Sequence, residues 1–319
     1  MKLLAHRLFP RIARIVLVCR SNKQASEAGM EINPITGTFG AEISGIDLSS
    51  EISETLAEAL RDALAKHLVI VMRNQPLGPD QQQVLTRVFG EPSVNPYAPG
   101  PDAHPEMTSI IKEADERTGV FGGGWHTDLS FLDNPPGGSV LVGIDIPPYG
   151  GDTMFCSQQA AWDSLPEAMK DLLENRDAIH VGKPYGIRWA PPVEEQAMKE
   201  STKRNDPDAD RERFHPAVMI HPVTGRKSLY INPTYTHRLD GLTEAQSSPI
   251  LNQLFEHCTL PEHCLRLRWS KDMVAIWDNY STQHYAINDY HGFRREMRRA
   301  TFQSAGIDAW RGKTSARAS

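Results

Sequence analysis

The sequence predicts an α+β fold, a β-sandwich or barrel with helices packed outside. Two observations lead there. Helical periodicity fills the first half of the chain, whereas short apolar strand patterns dominate the second half. The 23 proline and 23 glycine residues imply many turns, and no internal repeat points to a solenoid or propeller.

Taken in order, Glu31–Gly45 alternates apolar and polar residues around Gly37 and Gly40, which reads as a hairpin. Ser53 then caps a helix whose Leu56, Leu60 and Leu64 share one face. His67–Met72 is a buried strand, and Pro79 opens a helix that stops at Gly90. Residues 91–124 are rich in proline and glycine and end in Gly122-Gly-Gly124, the pattern of a long loop or lid. Ser139–Ile144 and Asp152–Cys156 are strands. Ser164-Leu-Pro-Glu167 has capping-box spacing for a helix to about Asn175. Residues 183–213 form a polar insertion. Lys227–Ile231 is a strand, and Thr243 with Gln246 starts a helix to about Cys258. Leu265–Trp269, Met273–Trp277 and Arg299–Phe302 close the chain as strands.

The 319 residues suffice for one large β domain over 30–309. Residues 1–29 carry six basic side chains against one acid, and they read as a disordered basic extension or a start called too early. Residues 310–319 read as a flexible tail. The remaining chain carries a net charge of about −11, which excludes a basic nucleic-acid face. No stretch reaches the ~20 apolar residues that span a bilayer. Four cysteines without a CxxC pair fit a reducing, cytoplasmic location.

His126-Thr-Asp128 is the only His-x-Asp in the chain. In an extended segment its imidazole and carboxylate point to one face and can meet a metal together. Two histidines and a carboxylate leave three metal positions for substrates, but the second histidine must come from elsewhere. His180, His221 and His284 are the candidates. His257-Cys258 and His263-Cys264 lack the spacing of a zinc finger, and Asp152 and Asp278 sit in turns where a carboxylate holds backbone. Arg295 and Arg299 share one face of an extended segment about 13 Å apart at 3.3 Å per residue, suited to two anions. Arg294 and Arg298 alternate to the other face and read as a solvated run.

At this point the chain resembles the taurine/2,4-dichlorophenoxyacetate dioxygenase group. The matching stretches are Trp125-His-Thr-Asp128, Gly150-Gly-Asp-Thr153, Ile276-Trp-Asp-Asn279, Thr282-Gln-His-Tyr-Ala286, Asp289-Tyr290 and Arg294-Arg-x-Met297-x-Arg299-Ala-Thr301, spread over about Met30 to Ala309. The resemblance implies a double-stranded β-helix (jelly roll) core with flanking helices. It implies Fe(II) on His126, Asp128 and His284, with 2-oxoglutarate and O2 as co-substrates. It assigns the 2-oxoglutarate C5 carboxylate to Arg295 and Thr153, and an anionic substrate group to Arg299. It further implies a dimer or tetramer. Asn95 stands where the taurine enzymes carry a substrate-binding histidine, and Gly122 where they carry an asparagine. Tyr97, Tyr235 and Trp277 are candidate pocket walls. The implied reaction hydroxylates a small anionic substrate such as an alkylsulfonate, with loss of sulfite. An aryloxy-alkanoate, a sulfate ester or an amino acid derivative are the alternative substrates, and a silent jelly-roll binding protein is the non-enzymatic alternative.

Overall fold

A computed structural model describes residues 25, 28–117, 119–189 and 202–304. The expected terminal extension and tail therefore lie almost wholly outside the described residues. So does part of the polar insertion.

The hairpin forms as β1 (Glu31–Pro34) and β2 (Ala41–Ser44), paired antiparallel. Ser53 accepts from the Leu56 amide at the start of α1 (Glu54–His67). Leu68 then takes a left-handed conformation, φ 64°, so the next strand, β3 (Val69–Met72), begins two residues later than expected. Helix α2 (Pro79–Phe89) ends at Gly90.

The segment 91–124 is more structured than its composition suggests. It contains β4 (Pro92–Ser93) and β5 (Met107–Lys112), and both pair with the last strand. Residues 94–106 and the glycine-rich end remain irregular. Then come β6 (Gly138–Asp145) and β7 (Thr153–Ser157). The Ser164 capping box is a misreading. A helix, α3 (Gln158–Ser164), ends at that serine, and α4 (Glu167–Leu173) starts at Pro166 without a side-chain cap. Proline supplied the signal but cannot act as a capping acceptor. Strands β8 (Asp177–His180), β9 (Arg213–Pro216), β10 (Val218–Ile220), β11 (Lys227–Leu229) and β12 (Thr236–Leu239) precede α5 (Glu244–Cys258). Thr243 and Gln246 do close a capping box there. The chain finishes with β13 (Cys264–Leu267), β14 (Val274–Asp278), β15 (Thr282–Ala286) and β16 (Arg295–Phe302). Polar residues hide the alternation of β15, and β16 starts four residues before the expected Arg299, at Arg295.

The large sheet runs β1-β2-β3-β14-β6-β16-β4, with β5 on β16, and a smaller one runs β13-β7-β15. Alternation along the central strands decides what each face covers. Ile70, Met72, Val140, Val142, Val274 and Ile276 pack under Leu60 of α1 and Leu85 of α2. Their neighbours Val69, Val71, Leu141, Ala275 and Trp277 turn to the small sheet, against Phe155 and Leu265. Arg298 belongs to the helix side and is not a solvated residue. It donates to Gln82 Oε1 at 2.6 Å and to the Leu77 carbonyl, which fixes α2 on the sheet. Arg294 is partly exposed and pairs with Asp145, Glu113 and Glu296.

Candidate metal centre and its pocket

The segment 126–128 runs beside β15. His126 and His284 exchange both backbone hydrogen bonds, at 3.1 and 2.9 Å, and Ala286 donates to the Gly122 carbonyl. An antiparallel hydrogen-bonded pair brings side chains onto one face, so the two imidazole centroids lie 4.1 Å apart. Asp128 Oδ1 is 3.6 Å from His126 Nε2 and 3.8 Å from His284 Nε2. One ligand atom from each residue lies within 4.8 Å of the others, and all three residues are buried. His180 and His221, the other distal candidates, are not in this group.

The surroundings suit a cation. His126 Nδ1 lies 2.7 Å from the Gly124 carbonyl, which requires a proton on that nitrogen and leaves the Nε2 lone pair free. Burial pushes His284 well below its ordinary range, with His126 adding to the effect, so its imidazole is neutral. Burial alone would raise Asp128, but the Arg299 guanidinium above all holds the carboxyl far below the usual range. Its Oδ1 accepts from Arg299 Nη1 at 2.9 Å, and its Oδ2 from Ser139 Oγ at 3.1 Å.

Asn279 is the residue that the sequence reading passed over. It is wholly buried, accepts from the Asp128 amide, and donates to the Asp128 and Pro136 carbonyls. The signal was in the Ile276-Trp-Asp-Asn279 stretch, but a backbone clamp across 151 residues cannot be seen in spacing. Asp278 accepts from the Ser281 amide, and burial pushes it up to about 7.

Arg295 and Arg299 both point inward from β16. Arg299 lines a cavity of about 480 Å³, with His126, Asp128, Asn95, Tyr185, Tyr235 and Phe121 among the other walls. Asn95 is 3% exposed. Its Oδ1 accepts from the amides of Tyr97 and Ala98, and its Nδ2 has no partner. Gly122, at φ 77°, leaves room for His126, because a Cβ there would stand 3.1 Å from its Cε1. Tyr97 lies behind the cavity wall, stacked on Tyr185 at 4.4 Å. Trp277 is placed differently from the expectation. It is 1% exposed in the inter-sheet core and backs His284 with ring centroids 4.9 Å apart, because its strand position faces inward to the small sheet.

Thr153 and Arg295 are buried and are not among the residues lining the cavity. Thr153 Oγ1 accepts from Trp269 Nε1 at 2.9 Å, so its own proton is free to donate elsewhere. The turn before it packs on Arg295. Gly151 has φ 68°, and a Cβ there would sit 3.0 Å from Arg295 Cδ. Asp289 accepts from the Gly151 amide, and Arg266 ties Asp152 to Asp289. The two His-Cys pairs make no metal group among the described residues. His257 and His263 both reach Ser164 Oγ at 3.0 Å.

The chain is similar to known proteins over most of its length. The chain is 37% identical to an alkylsulfatase of Acinetobacter baylyi over 89% of each chain. It is 32% identical to an alpha-ketoglutarate-dependent sulfate ester dioxygenase of Pseudomonas putida, covering 89% of this chain and 94% of that one. A crystal structure of a taurine dioxygenase from Burkholderia xenovorans superposes with a TM-score of 0.73 at 30% identity, over 88% of this chain and 94% of that one. The model of the family described as taurine catabolism dioxygenase TauD, TfdA matches residues 31–301, and the chain belongs to that family.

Proposed function

We propose that this chain is an Fe(II)- and 2-oxoglutarate-dependent dioxygenase that oxidises small sulfate esters or sulfonates with an uncharged tail, on a double-stranded β-helix core. The observation that carries the reading is the buried His126–Asp128–His284 group beside Arg299. His126, Asp128 and His284 would hold the metal through three positions and leave the others for co-substrates. Arg295 and the Thr153 hydroxyl would hold the C5 carboxylate of 2-oxoglutarate. The buried, unpartnered Arg295 Nε and the free Thr153 proton fit that role.

Bound Fe(II), 2-oxoglutarate and O2 together supply the oxidising power, with succinate and CO2 as co-products. Arg299 would orient the sulfur oxyanion so that the adjoining C–H faces the metal side. Asn95 Nδ2 offers a further donor to that group. Phe121, Tyr185 and Tyr235 exclude water from the reacting carbon. Hydroxylation at that carbon makes the product unstable. Its C–O or C–S bond breaks, and an aldehyde leaves with sulfate or sulfite.

The tail preference rests on charge. Among the described residues lining the cavity, Asp128 is the only acid, so nothing there pairs with a substrate ammonium. That argues against taurine itself and for an alkyl tail. The names of the alkylsulfatase and sulfate ester relatives support the same choice.

Two measurements test the proposal. Anaerobic addition of Fe(II) and 2-oxoglutarate is expected to give a weak visible charge-transfer band that His126→Ala abolishes, and no band in the unaltered protein refutes the cofactor reading. Succinate formation is expected to rise with hexyl sulfate or hexanesulfonate and stay at background with taurine. A preference for taurine refutes the tail assignment.

A further inference from the structure

Lys112 ends β5, and its partner across the antiparallel ladder is Arg295. Directly opposite residues send their side chains to the same face. Both are 6% exposed. Lys112 Nζ lies 4.9 Å from the Tyr290 ring centroid, and the Arg295 guanidinium carbon lies 5.8 Å from the same centroid. Two buried cations on paired strand positions thus lie near one aromatic ring.

No carboxylate oxygen of a described residue lies within 4.0 Å of either cation. Lys112 donates to Asn288 Oδ1 at 2.6 Å, and Arg295 bonds Tyr290. The acids nearby contact other cations. Asp152 and Asp289 hold Arg266, and Glu113 holds Arg294. Glu116 acts on Lys112, and Asp152 on Arg295, only from beyond contact distance. Each cation loses hydration on burial, and neither has a carboxylate in contact. An anion that contacts both offsets that loss.

We propose that Lys112 is a cofactor-binding residue, forming with Arg295 a two-cation seat for the C5 carboxylate of 2-oxoglutarate. The proposal rests on the reading of Arg295 given above. Asn288 occupies one of the three ammonium donors and leaves two for the anion. Asn288 also lines the cavity that contains Asp128, so the ammonium stands where the wall of the metal side meets the carboxylate seat. The consequence is selectivity. A 2-oxo acid with a second carboxylate gains contacts that a monocarboxylate does not.

Equilibrium binding to the Mn(II)-loaded protein, by titration calorimetry, separates a carboxylate contact from a structural strut. The ligands are 2-oxoglutarate and 2-oxopentanoate, which has a methyl in place of the second carboxylate. Lys112→Met is expected to weaken 2-oxoglutarate at least about tenfold, the usual size of a lost charged hydrogen bond, and to leave 2-oxopentanoate unchanged. Lys112→Arg is expected to recover most of the loss. A Lys112→Met protein that weakens both ligands equally, or neither, overturns the proposal. Arg295→Gln in the same assay is expected to lose about a hundredfold for 2-oxoglutarate. Unchanged affinity there overturns the underlying reading of Arg295, whereas a weakened Arg295→Gln beside an unaffected Lys112→Met overturns the role of Lys112 alone.

Discussion

The floor and the roof of the cavity are built by different means. The floor is the 126–128 segment on β15, where paired backbone hydrogen bonds, Asn279 and Ser139 hold every ligand in place. The roof is irregular chain: Gly119–Gly124, Pro184–Tyr185 and Thr234–Tyr235, packed mostly through apolar and aromatic contacts. Metal chemistry tolerates little error in ligand position, so ladder and clamp geometry suits the floor. A substrate pocket needs shape and a few polar donors, which loops supply and can vary.

The contrast makes testable claims. The largest effect belongs to the floor. Asn279→Ala removes three buried hydrogen bonds and is expected to cost about 3 kcal/mol in denaturant unfolding and ~10–100-fold in metal affinity. Normal metal affinity in a folded variant would break the idea of a clamped floor. Arg299→Gln comes next, since Arg299 spans floor and roof. Its expected effect is a rise in substrate KM of roughly 10–100-fold with the 2-oxoglutarate KM unchanged. A loss in kcat alone would place Arg299 with Asp128 and not with substrate. Asn95→Ala in the cavity wall is expected to raise substrate KM about three- to tenfold, because its Nδ2 bonds nothing in the protein, and to cost about 1–2 kcal/mol of stability, because its Oδ1 accepts from the Tyr97 and Ala98 amides.

His67, on the far side of the large sheet, provides a control outside both regions. Burial pushes it down to about 4, with Lys66 adding to the shift. The unfolded chain therefore binds more protons between pH 4 and about 6.5, so this contribution is present above that window and lost as pH falls through it. His67→Leu is expected to shrink the stability loss between pH 7 and 5 by about 1 kcal/mol, allowing for its partial exposure. Catalytic constants measured at pH 7 are expected not to move.

The two regions also differed in how much of them could be read from the chain. On the floor, His126-Thr-Asp128 announced itself because two ligand types two residues apart must share a face when extended. The partner was less legible. His284 sits on a strand whose Thr-Gln-His sequence has no apolar alternation, and the family resemblance singled it out. Away from the floor, composition misled in part. The 91–124 stretch looked like loop throughout, yet β5 within it pairs with β16. Ser164 looked like a cap and instead ends one helix and bonds two histidines. Trp277 looked like a wall residue and is core, because one step along a strand changes the face.

By itself the sequence determined which residue types are available for metal and anions, where α1, α2 and α5 start, and which faces of the central strands are apolar. Those follow from local rules of capping, periodicity and side-chain chemistry. Tertiary structure alone decided that His126 pairs with His284, that Asn279 clamps Asp128, and that Lys112 stands opposite Arg295. Each is a contact across more than a hundred residues, set by sheet register, and register depends on how whole strands pack and not on any local run of amino acids.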